Sequence, residues 1–469
     1  MQEPCGAGKI GVPLCPRTSG LGSSVTTGLV EDATFVSFDG GVSARASYCR
    51  PDSYRMIEDH GGRAHRIARG GGYSYAAASF GAGSLVLDMT RLNRVLRFDP
   101  PTRLIEAEAG ITLGDLFALT APRGLWLPVQ PGYPDITIGG CIAANVHGKN
   151  PHREGTFEQS VVSLTLYHPE RGTVRIDRES EAELFELTCG GYGLTGIILA
   201  ATLRLEPLPG PVAAVCRIPI DGLAEGLERV RALTEESAFA YTWHEGTPSP
   251  RAFGRGFVFQ GRIAPGPPMP VAVPPYRRLV AGRRGRLPIS VWGRRTTWLL
   301  AGGFRRLQAM KPDLTEMTLF DAMFPFARRG EYFLLYGQRG LAEYQALVPP
   351  HAIAPFLQEL EGEALRMRAP LVMLSMKLFR GSQRFLRFEG DGICFTADLV
   401  RSPAGLSFLP VLDRLTVAAG GIPNIIKDSR LPVAVVRQCY PEYECFREKL
   451  RSYDPGRRFR SELSERLEL

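Results

Sequence analysis

The sequence predicts an α+β protein built from two domains. Its 469 residues exceed the roughly 50–250 residues of a single domain. The 44% apolar and 22% charged residues are the composition of an ordinary globular protein. Strand-like and helix-like segments alternate along the chain without an internal repeat. The breaker cluster at residues 207–211 (Pro-Leu-Pro-Gly-Pro) marks the predicted boundary between the domains.

The first domain is expected to contain both strands and helices. Alternating apolar and polar residues predict strands at residues 84–88, 104–109, 161–168, 173–176 and 196–205. The third and fourth of these strands are expected to form a hairpin. A helix is expected from Thr112 to Leu119, with Thr112 as its N-cap and Asp115 in its first turn.

The second domain is also expected to alternate strands with helices. Its predicted strands cover residues 214–220 and 392–398, and its predicted helices cover residues 223–236, 352–369 and 407–419. The stretch 265–275 contains six prolines and is predicted to be a loop. The apolar residues 423–426 are predicted to be a buried strand.

Three glycine-rich segments lie in the first domain, each beside an apolar strand-like run. They are residues 68–75 (ARGGGYSY), residues 131–150 and residues 190–198. Glycine reaches positive φ and lets a ligand approach the backbone, and a concave run of N–H groups binds phosphate oxygens. A glycine-rich loop can also be an ordinary turn. Neither a G-x-G-x-x-G motif opening a βαβ unit nor a Walker motif is present, so a Rossmann site and a P-loop fit poorly.

Together, the three segments resemble the PCMH-type FAD-binding domain of the vanillyl-alcohol-oxidase family. The resemblance rests on R-G-G-G-x-S-Y, P-G-x-x-x-x-T-I-G-G and G-L-T-G-I-I. Other segments, among them residues 147–150, 427–430 and 466–469, occur in the same order in the decaprenylphosphoryl-β-D-ribose oxidases. The similarity extends from about residue 38 to residue 469 and is weakest between residues 209 and 321.

The resemblance implies a two-part PCMH-type FAD-binding domain followed by an α+β substrate-binding cap domain. We therefore expect a loose N-terminal tail over residues 1–28 and the FAD-binding domain over residues 29–208. The substrate-binding domain is expected over residues 209–430, with a basic insertion at residues 248–312. Residues 431–469 are expected to form a C-terminal segment that packs back on the FAD-binding domain.

The resemblance also implies FAD as the cofactor. The residues expected to bind it are Arg69, Gly70, Gly71, Gly72, Tyr73, Ser74, Tyr75, Pro131, Gly132, Thr137, Gly139, Gly140, Asn145, His147, Gly148, Gly193, Gly196 and Ile197. Relatives that attach FAD covalently use a histidine or a cysteine at places where this chain has Tyr73 and Tyr133, so we expect non-covalent FAD. The cysteines and histidines lack zinc-type spacing, and no metal is expected.

Lys427 is the predicted catalytic base, with His147 and Tyr75 completing the predicted catalytic set. Oxidising an alcohol requires a base for the hydroxyl proton, with a pKa near the working pH. Lys427 matches the family's catalytic lysine, and burial lowers the pKa of a lysine from about 10.4. The alternatives are a strand-end lysine paired with Asp428 and, for His147, a core histidine.

The residues expected to contact the substrate come from the same resemblance. They are Lys149, Gln345, Lys377, Cys394 and Lys427. Lys377 is expected to meet a substrate phosphate, and Cys394 to line the pocket without acting as a nucleophile. Three neighbours depart from the family pattern: Asn424 replaces a tyrosine, Glu343 a glutamine and Gly392 an asparagine. The wall that contacts the sugar or lipid is therefore expected to differ.

The net charge of +8 is concentrated in one part of the chain. No acidic residue occurs between Glu245 and Asp313, whereas arginines recur there at Arg277, Arg278, Arg283, Arg284, Arg286, Arg294, Arg295, Arg305 and Arg306. Interspersed tryptophan and leucine suit an anionic membrane surface, nucleic acid or a solvated insertion. The resemblance favours peripheral membrane contact, and no nucleic acid is expected.

The predicted function is FAD-dependent oxidation of a secondary sugar hydroxyl to a ketone. The expected substrate is a lipid- or phosphate-linked glycosyl group, with polyprenyl phosphate as one carrier. The reaction would be the first half of an epimerisation that a partner short-chain reductase completes. One alternative is a polyol or aldonolactone oxidase, although its C-terminal H-x-G-K motif is absent after His351. Another is a non-enzymatic membrane- or nucleic-acid-binding protein.

The expected location is cytoplasmic, with membrane association as a further possibility. The N-terminus lacks the pattern of a signal peptide, and no apolar run reaches the roughly 20 residues of a membrane span. The nine scattered cysteines suggest a reducing compartment.

Overall fold

The chain is an α+β protein, as the sequence predicts. Its computed structural model describes residues 30–60, 64–266, 287–327 and 331–469. The predicted N-terminal tail and most of the proline-rich stretch lie outside these residues. Within the described part of the chain, no helix is long and apolar enough to cross a membrane.

The first half of the described chain forms three sheets. Its strands are β1 (Glu31–Val36), β2 (Ser43–Cys49), β3 (Arg66–Arg69), β4 (Leu85–Asp88), β5 (Val95–Asp99), β6 (Leu104–Glu108), β7 (Leu125–Trp126), β8 (Val161–His168), β9 (Gly172–Asp177), β10 (Ile197–Arg204) and β11 (Glu206–Pro207). Its helices are α1 (Tyr54–Asp59), α2 (Leu113–Thr120), α3 (Ile138–Ala143), α4 (Pro151–Glu154) and α5 (Ala182–Thr188). The sheets have the orders β1-β2-β4-β3, β5-β6-β10-β8-β9 and β11-β7.

The local predictions for this half are confirmed. The hairpin is β8 and β9, which pair in antiparallel register from Ser163–Asp177 to His168–Gly172. Helix α2 begins after Thr112, whose side chain accepts a hydrogen bond from the Asp115 backbone N–H at 3.1 Å. That bond satisfies one of the backbone donors left free at a helix start.

The second half is dominated by one antiparallel sheet. Its strands are β12 (Val212–Ile220), β13 (Phe239–Glu245), β14 (Gly256–Ile263), β15 (Leu314–Thr318), β16 (Leu341–Val348), β17 (Leu371–Phe379), β18 (Gly392–Val400) and β19 (Ile422–Pro423). The helices are α6 (Leu223–Thr234), α7 (Arg294–Ala309), α8 (Leu319–Met323), α9 (Glu331–Leu334), α10 (Ile353–Met367), α11 (Pro403–Ala418), α12 (Val433–Cys439), α13 (Tyr443–Tyr453) and α14 (Glu462–Arg466). The order in the large sheet is β15-β12-β14-β13-β17-β18-β16-β19.

The two faces of the large sheet have different roles. On β16, Ala342, Tyr344 and Ala346 pack into an apolar core with α6, α10 and α11. Because successive side chains on a strand point to opposite faces, Glu343 and Gln345 point away from that core. A slip of one residue in register would bury Glu343 among the helices, so the core fixes which residues reach the other face.

The C-terminal segment packs against the first sheet. The Arg66 N–H donates to the Arg458 carbonyl at 2.8 Å, and the Arg460 N–H donates to the Arg66 carbonyl at 3.1 Å. Further along, the Glu462 N–H donates to the Phe80 carbonyl at 2.9 Å. These bonds cover an edge of the sheet that carries the first glycine-rich loop.

The predicted buried strand at residues 423–426 is wrong. Strand β19 ends at Pro423, and a turn carries the chain through to Lys427. The Asn424 side-chain oxygen accepts a hydrogen bond from the Ile426 N–H at 3.2 Å. The Lys427 N–H donates to the Asn424 carbonyl at 3.1 Å. An asparagine that bonds the backbone two residues ahead favours a turn over a strand.

Candidate active site

A cavity of about 1140 Å³ lies between the glycine-rich segments and the open face of the large sheet. Single small-molecule sites typically occupy roughly 300–1,000 Å³, so this cavity is at the large end for a ligand site. Most of the predicted site residues line it: Gly70, Gly71, Gly72, Tyr73, Ser74, Tyr75, Pro131, Gly132, Thr137, Gly139, Gly140, Asn145, His147, Gly148, Lys149, Gly193, Gly196, Gln345, Lys377 and Lys427.

The first glycine-rich loop is packed so tightly that side chains would not fit. A Cβ added to Gly70 would lie 2.1 Å from Thr137 Oγ1, and one added to Gly71 would lie 2.7 Å from the Asp135 carbonyl oxygen. Gly72 adopts a φ of +79°, which favours glycine. Within the described residues, the N–H groups of Gly71 and Gly72 have no hydrogen-bond partner. They can therefore serve the oxygens of a bound phosphate.

The second glycine-rich segment is held in place by its own side chains. The Thr137 hydroxyl accepts a hydrogen bond from the Gly140 N–H at 3.3 Å at the start of α3. Asn145 Nδ2 donates to Glu389 at 3.0 Å, and Asn145 Oδ1 accepts from the Glu158 N–H at 3.1 Å. Because both the nitrogen and the oxygen of its side-chain amide are hydrogen-bonded to protein groups, Asn145 stabilises the loop rather than binding a ligand through that amide.

Three predicted site residues do not line the cavity. The Arg69 guanidinium points away and donates to the Ser79 hydroxyl at 2.8 Å, which supports the loop from behind. Ile197 is fully buried in the core. Cys394 is also fully buried, paired across the strands with Lys377, and burial raises the pKa of its thiol. We correct these three assignments to supporting positions.

The lining residues fit FAD. Backbone rather than side chains forms much of the wall, at Gly71, Gly72, Gly140 and Gly193, and such a wall lets a flat, phosphate-bearing molecule approach closely. The Tyr73 hydroxyl donates to Asp135 at 3.2 Å. The Tyr133 ring stacks on Phe326 with a centroid distance of 5.1 Å. The two places at which relatives attach FAD covalently thus carry tyrosines here, and both tyrosines contact other protein groups.

His147 and Lys377 form a half-buried pair in the cavity wall. Lys377 Nζ lies 3.4 Å from His147 Nδ1, and the same ring nitrogen lies 3.1 Å from the Gly148 carbonyl. Burial, followed by the Lys377 charge, holds the pKa of His147 well below its usual 6.5, so the imidazole is neutral. Burial also lowers the pKa of Lys377. The predicted alternative of an ordinary core histidine does not hold, because His147 lines the cavity.

Lys427 is paired with Glu343 and not with Asp428. Its Nζ lies 3.0 Å from Glu343 Oε1 and 4.4 Å from the centroid of the Tyr75 ring. Asp428 instead forms an ion pair with Arg430, whose Nη2 lies 2.5 Å from Asp428 Oδ2. The Lys427 side chain remains 24% exposed, so it is reachable from the cavity. The predicted alternative role as a partner of Asp428 is therefore wrong.

A second carboxyl group, Asp398, lies beside the Lys427–Glu343 pair. Asp398 and Glu343 are direct cross-strand partners on β18 and β16. Burial, followed by the Glu343 charge, raises the pKa of Asp398 to about 8. Asp398 Oδ2 accepts a hydrogen bond from the Tyr332 hydroxyl at 2.6 Å. Within the described residues, Asp398 Oδ1 has no hydrogen-bond partner.

Glu343 was expected in the substrate-contacting wall only as a departure from the family pattern, without a chemical role, and Asp398 was not expected in the site. Both are charged residues inside otherwise apolar strands, spaced two residues from the polar Gln345 and Thr396. This spacing of polar residues at every second position was the signal in the sequence that they share one face of the sheet. The pairing itself depends on the register between β16 and β18, which a single sequence does not reveal.

One arm of the cavity is lined by aromatic side chains from the large sheet and α7. The Tyr241 and Phe259 rings stack at 5.3 Å, and the Trp243 and Phe304 rings lie 4.7 Å apart. Lys149 Nζ donates to the Ala322 carbonyl and lies 5.2 Å from the Phe239 ring centroid. The cavity thus combines a polar wall, formed by the middle strands of the sheet, with an apolar arm.

Comparisons with known proteins agree with this geometry. A family model described as FAD binding domain matches residues 56–177. Decaprenylphosphoryl-β-D-ribose oxidase of Mycolicibacterium smegmatis is 30% identical over 433 residues, covering 88% of this chain and 90% of that enzyme. This chain belongs to the same family of FAD-binding oxidoreductases. As a family member it is a flavoenzyme that acts on CH–OH groups, and the non-enzymatic alternative is not supported.

Other relatives align with most of this chain or with less than a third of it. A Streptomyces coelicolor protein described as an uncharacterized protein in the mprA 5' region is 30% identical over 387 residues, covering 76% of this chain and 100% of its own. L-gulonolactone oxidase of Mus musculus is 31% identical over 138 residues, covering 29% of this chain and 31% of its own. The family match therefore rests on the long alignments.

Proposed function

We propose that this flavoenzyme oxidises a secondary hydroxyl of a glycosyl substrate to a ketone, with the glycosyl group carried on a lipid or a phosphate. The observation that carries the proposal is the cavity itself, which joins a wall of lysine, histidine and carboxyl groups to an aromatic arm. A sugar needs the polar groups, and an apolar carrier fits the arm.

The proposed chemistry divides between cofactor and protein. FAD, when bound, accepts the hydride that leaves the carbinol carbon. Lys427 takes the hydroxyl proton, and the neutral imidazole of His147 helps orient the reacting hydroxyl. Lys377 lies beside His147 in the cavity wall and can meet a phosphate or a sugar oxygen. Strand β17 positions Lys377, the turn after β19 positions Lys427 and the second glycine-rich segment positions His147, which limits the reorganisation needed when substrate binds.

The substrate class can be tested by anaerobic flavin bleaching against polyprenyl-phosphate-linked, soluble phosphate-linked and unlinked glycosides. We expect the lipid-linked compounds to reduce the flavin fastest. Loss of the flavin absorbance with aldonolactones or simple polyols alone would favour an oxidase of that type and overturn the proposal. If a ketone product forms, adding a short-chain reductase with its nicotinamide cofactor should convert it to the epimeric alcohol, the second half of the proposed epimerisation.

We also propose that the FAD is not covalently bound. The places at which relatives attach FAD covalently carry Tyr73 and Tyr133 in this chain. Tyr73 hydrogen-bonds to Asp135 and Tyr133 stacks on Phe326. Acid or heat denaturation should therefore release all of the yellow colour into the supernatant. Flavin that remains on the precipitated polypeptide, or a flavin-modified peptide by mass spectrometry, would contradict this.

Helix α7 carries an exposed apolar patch that we propose contacts an anionic membrane. The patch consists of Trp298, Leu299, Leu307 and Met310, which are 55%, 60%, 61% and 82% exposed. Arg295 and Arg306 are exposed on the same helix. The inner side of α7 lines the aromatic arm of the cavity. A basic helix with exposed tryptophan and leucine suits an anionic bilayer surface.

The membrane contact can be measured with vesicles containing phosphatidylglycerol. Replacing Arg295 and Arg306 with serine should weaken binding by about 1 kcal/mol per arginine, and Trp298→Ser should weaken it further. Leu96→Ser is the matched control, because Leu96 is 45% exposed on β5 outside the patch. If the wild-type protein does not bind these vesicles at low salt, the proposal is wrong. The same test applies to the arginines outside the described residues, Arg277, Arg278, Arg283 and Arg284.

A further inference from the structure

The ion pair between Lys427 and Glu343 raises a chemical problem for the oxidation proposed above. An ammonium group has three donors and no acceptor, so an ion-paired lysine cannot take a proton while it keeps its own. Its Nζ lies 3.0 Å from Glu343 Oε1, within hydrogen-bond range. A proton can therefore leave Lys427 toward Glu343 as another arrives.

We propose, on the basis of that oxidation, that Glu343 is the terminal acceptor of the substrate's hydroxyl proton, which reaches it through Lys427. Lys427 then acts as a relay and is an ammonium both before and after the step. This role is separate from the assignment of Lys427 as the group that faces the substrate, and it gives the buried carboxylate a function in turnover.

The orientation of Glu343 is fixed by its neighbours. Gln345 Nε2 donates to Glu343 Oε1 at 2.7 Å. Gln345 Oε1 in turn accepts a hydrogen bond from Asn424 Nδ2 at 2.9 Å, and Asn424 belongs to the turn that carries Lys427. The two ends of the relay are thus held by one chain of hydrogen bonds, so donor and acceptor keep their separation.

Asp398 sets the charge of the carboxyl pair. The groups that face it are Glu343 on β16, Lys427 in the turn, and the hydroxyl of Tyr332, which itself lies 2.7 Å from that of Tyr336. Tyr75 and Tyr133 lie on the glycine-rich side of the same cluster. With the pKa of Asp398 raised to about 8, Asp398 is protonated near neutrality. Glu343, the carboxylate that is ion-paired with Lys427 at 3.0 Å, is then the acceptor available to the relay.

The step balances as follows. The substrate O–H bond breaks and its proton forms an N–H bond on Lys427, while another N–H bond of Lys427 breaks and its proton forms an O–H bond on Glu343. The electron pair of the broken O–H bond forms the carbon–oxygen double bond as the C–H bond breaks. Bound FAD, the oxidant that the family uses, would take up the hydride with the electron pair of the C–H bond. Glu343 afterwards returns its proton to water through the cavity.

The kinetic test uses the holoenzyme and a glycoside that reduces the wild-type flavin. Glu343→Gln keeps the shape and the Gln345 contact but cannot hold the proton, so flavin reduction should slow by about 10²-fold or more. Glu343→Asp should recover part of that rate. In mixtures of H₂O and D₂O, the wild-type rate should fall along a curve, because two protons move, and a merely structural glutamate would not produce that curvature.

A second measurement needs no substrate. The folded-state pKa of Asp398 is raised, so folded protein holds a proton that unfolded protein loses, and stability should fall as the pH rises from about 4 toward 8. Asp398→Asn should remove that decline. Glu343→Gln should move the decline in stability to lower pH, because without the negative charge of Glu343 the pKa of Asp398 is raised less. Unfolding temperatures between pH 5 and 9 report both effects.

The outcomes separate the two proposals. If no glycoside reduces the wild-type flavin, the proposed function fails and the relay fails with it. If the wild type is reduced and Glu343→Gln is reduced within a few fold of its rate, the relay alone is wrong. A Glu343→Gln variant with unchanged pH dependence of stability would also contradict the relay, because the two carboxyl groups would not be coupled.

Discussion

Replacing Lys427 with alanine should leave FAD bound and slow flavin reduction by about 10²–10⁴-fold, the usual contribution of a group that handles the reacting proton. Lys427 lies outside the three glycine-rich segments, in the turn after β19, so the walls expected to hold the cofactor stay intact. The flavin absorption spectrum measures retention, and anaerobic stopped-flow with a reducing glycoside measures the rate.

Controls separate the chemistry of Lys427 from simple structural damage. Lys427→Arg should not restore the rate, because a guanidinium does not release a proton near neutral pH. Added alkylamines should partly restore the alanine variant. Lys449→Ala removes an exposed lysine that pairs with Glu183 on α5, and it should reduce its flavin normally. If Lys427→Ala matches the wild type within a few fold, Lys427 has only a structural role and Lys377, which also lines the cavity, becomes the candidate.

Replacing Arg387 with alanine should cost about 3–5 kcal/mol of stability, the usual penalty for removing one partner of a buried ion pair. The Arg387 side chain is 1% exposed and lies 2.5 Å from Glu158 and 3.2 Å from Glu186. It connects the loop between β17 and β18 to the part of the chain that carries the glycine-rich segments. Within the part of the chain that the structure describes, its loss would leave the Glu158 carboxylate buried with Arg178 as its one remaining ion-pair partner.

The chain offers a matched control for this prediction. Arg384 also pairs with Glu186, at 2.9 Å, but its side chain is 57% exposed. Arg384→Ala should therefore change stability by no more than about 1 kcal/mol, as for other surface pairs. Urea unfolding of the holoenzyme, followed by circular dichroism and flavin fluorescence, compares the two. Equal effects of the two substitutions would mean that the buried network contributes little.

The features that sequence predicts well here are the ones that local chemistry determines. The Thr112 cap and the β8–β9 hairpin follow from residues a few positions apart, whereas the crowding at Gly70 and Gly71 comes from Thr137 and Asp135, more than sixty positions away. The partner of Lys427 could not be predicted in the same way. It depends on where β16 lies in the large sheet and on a turn that Asn424 creates, and the nearby Asp428 offered a more obvious partner.

The same distinction explains the corrected site residues. Arg69 and Ile197 sit in the right segments, but strand alternation and packing direct their side chains away from the cavity. Cys394 lies on the cavity-facing side of β18, yet it is covered by its neighbours and fully buried. Whether a side chain reaches a ligand depends on such packing, which motif matching alone does not supply. The carboxyl pair of Glu343 and Asp398 required the strand register as well.

Strand alternation also has an evolutionary consequence. On β16 and β18, the residues that hold the helices and those that face the cavity occupy different positions, so selection can act on each set separately. Changes at positions 343, 345, 396 and 398 act on the site, while positions 342, 344, 395 and 397 keep the protein folded. A mutant library confined to the first set should therefore yield many folded flavoproteins that differ in rate and in specificity.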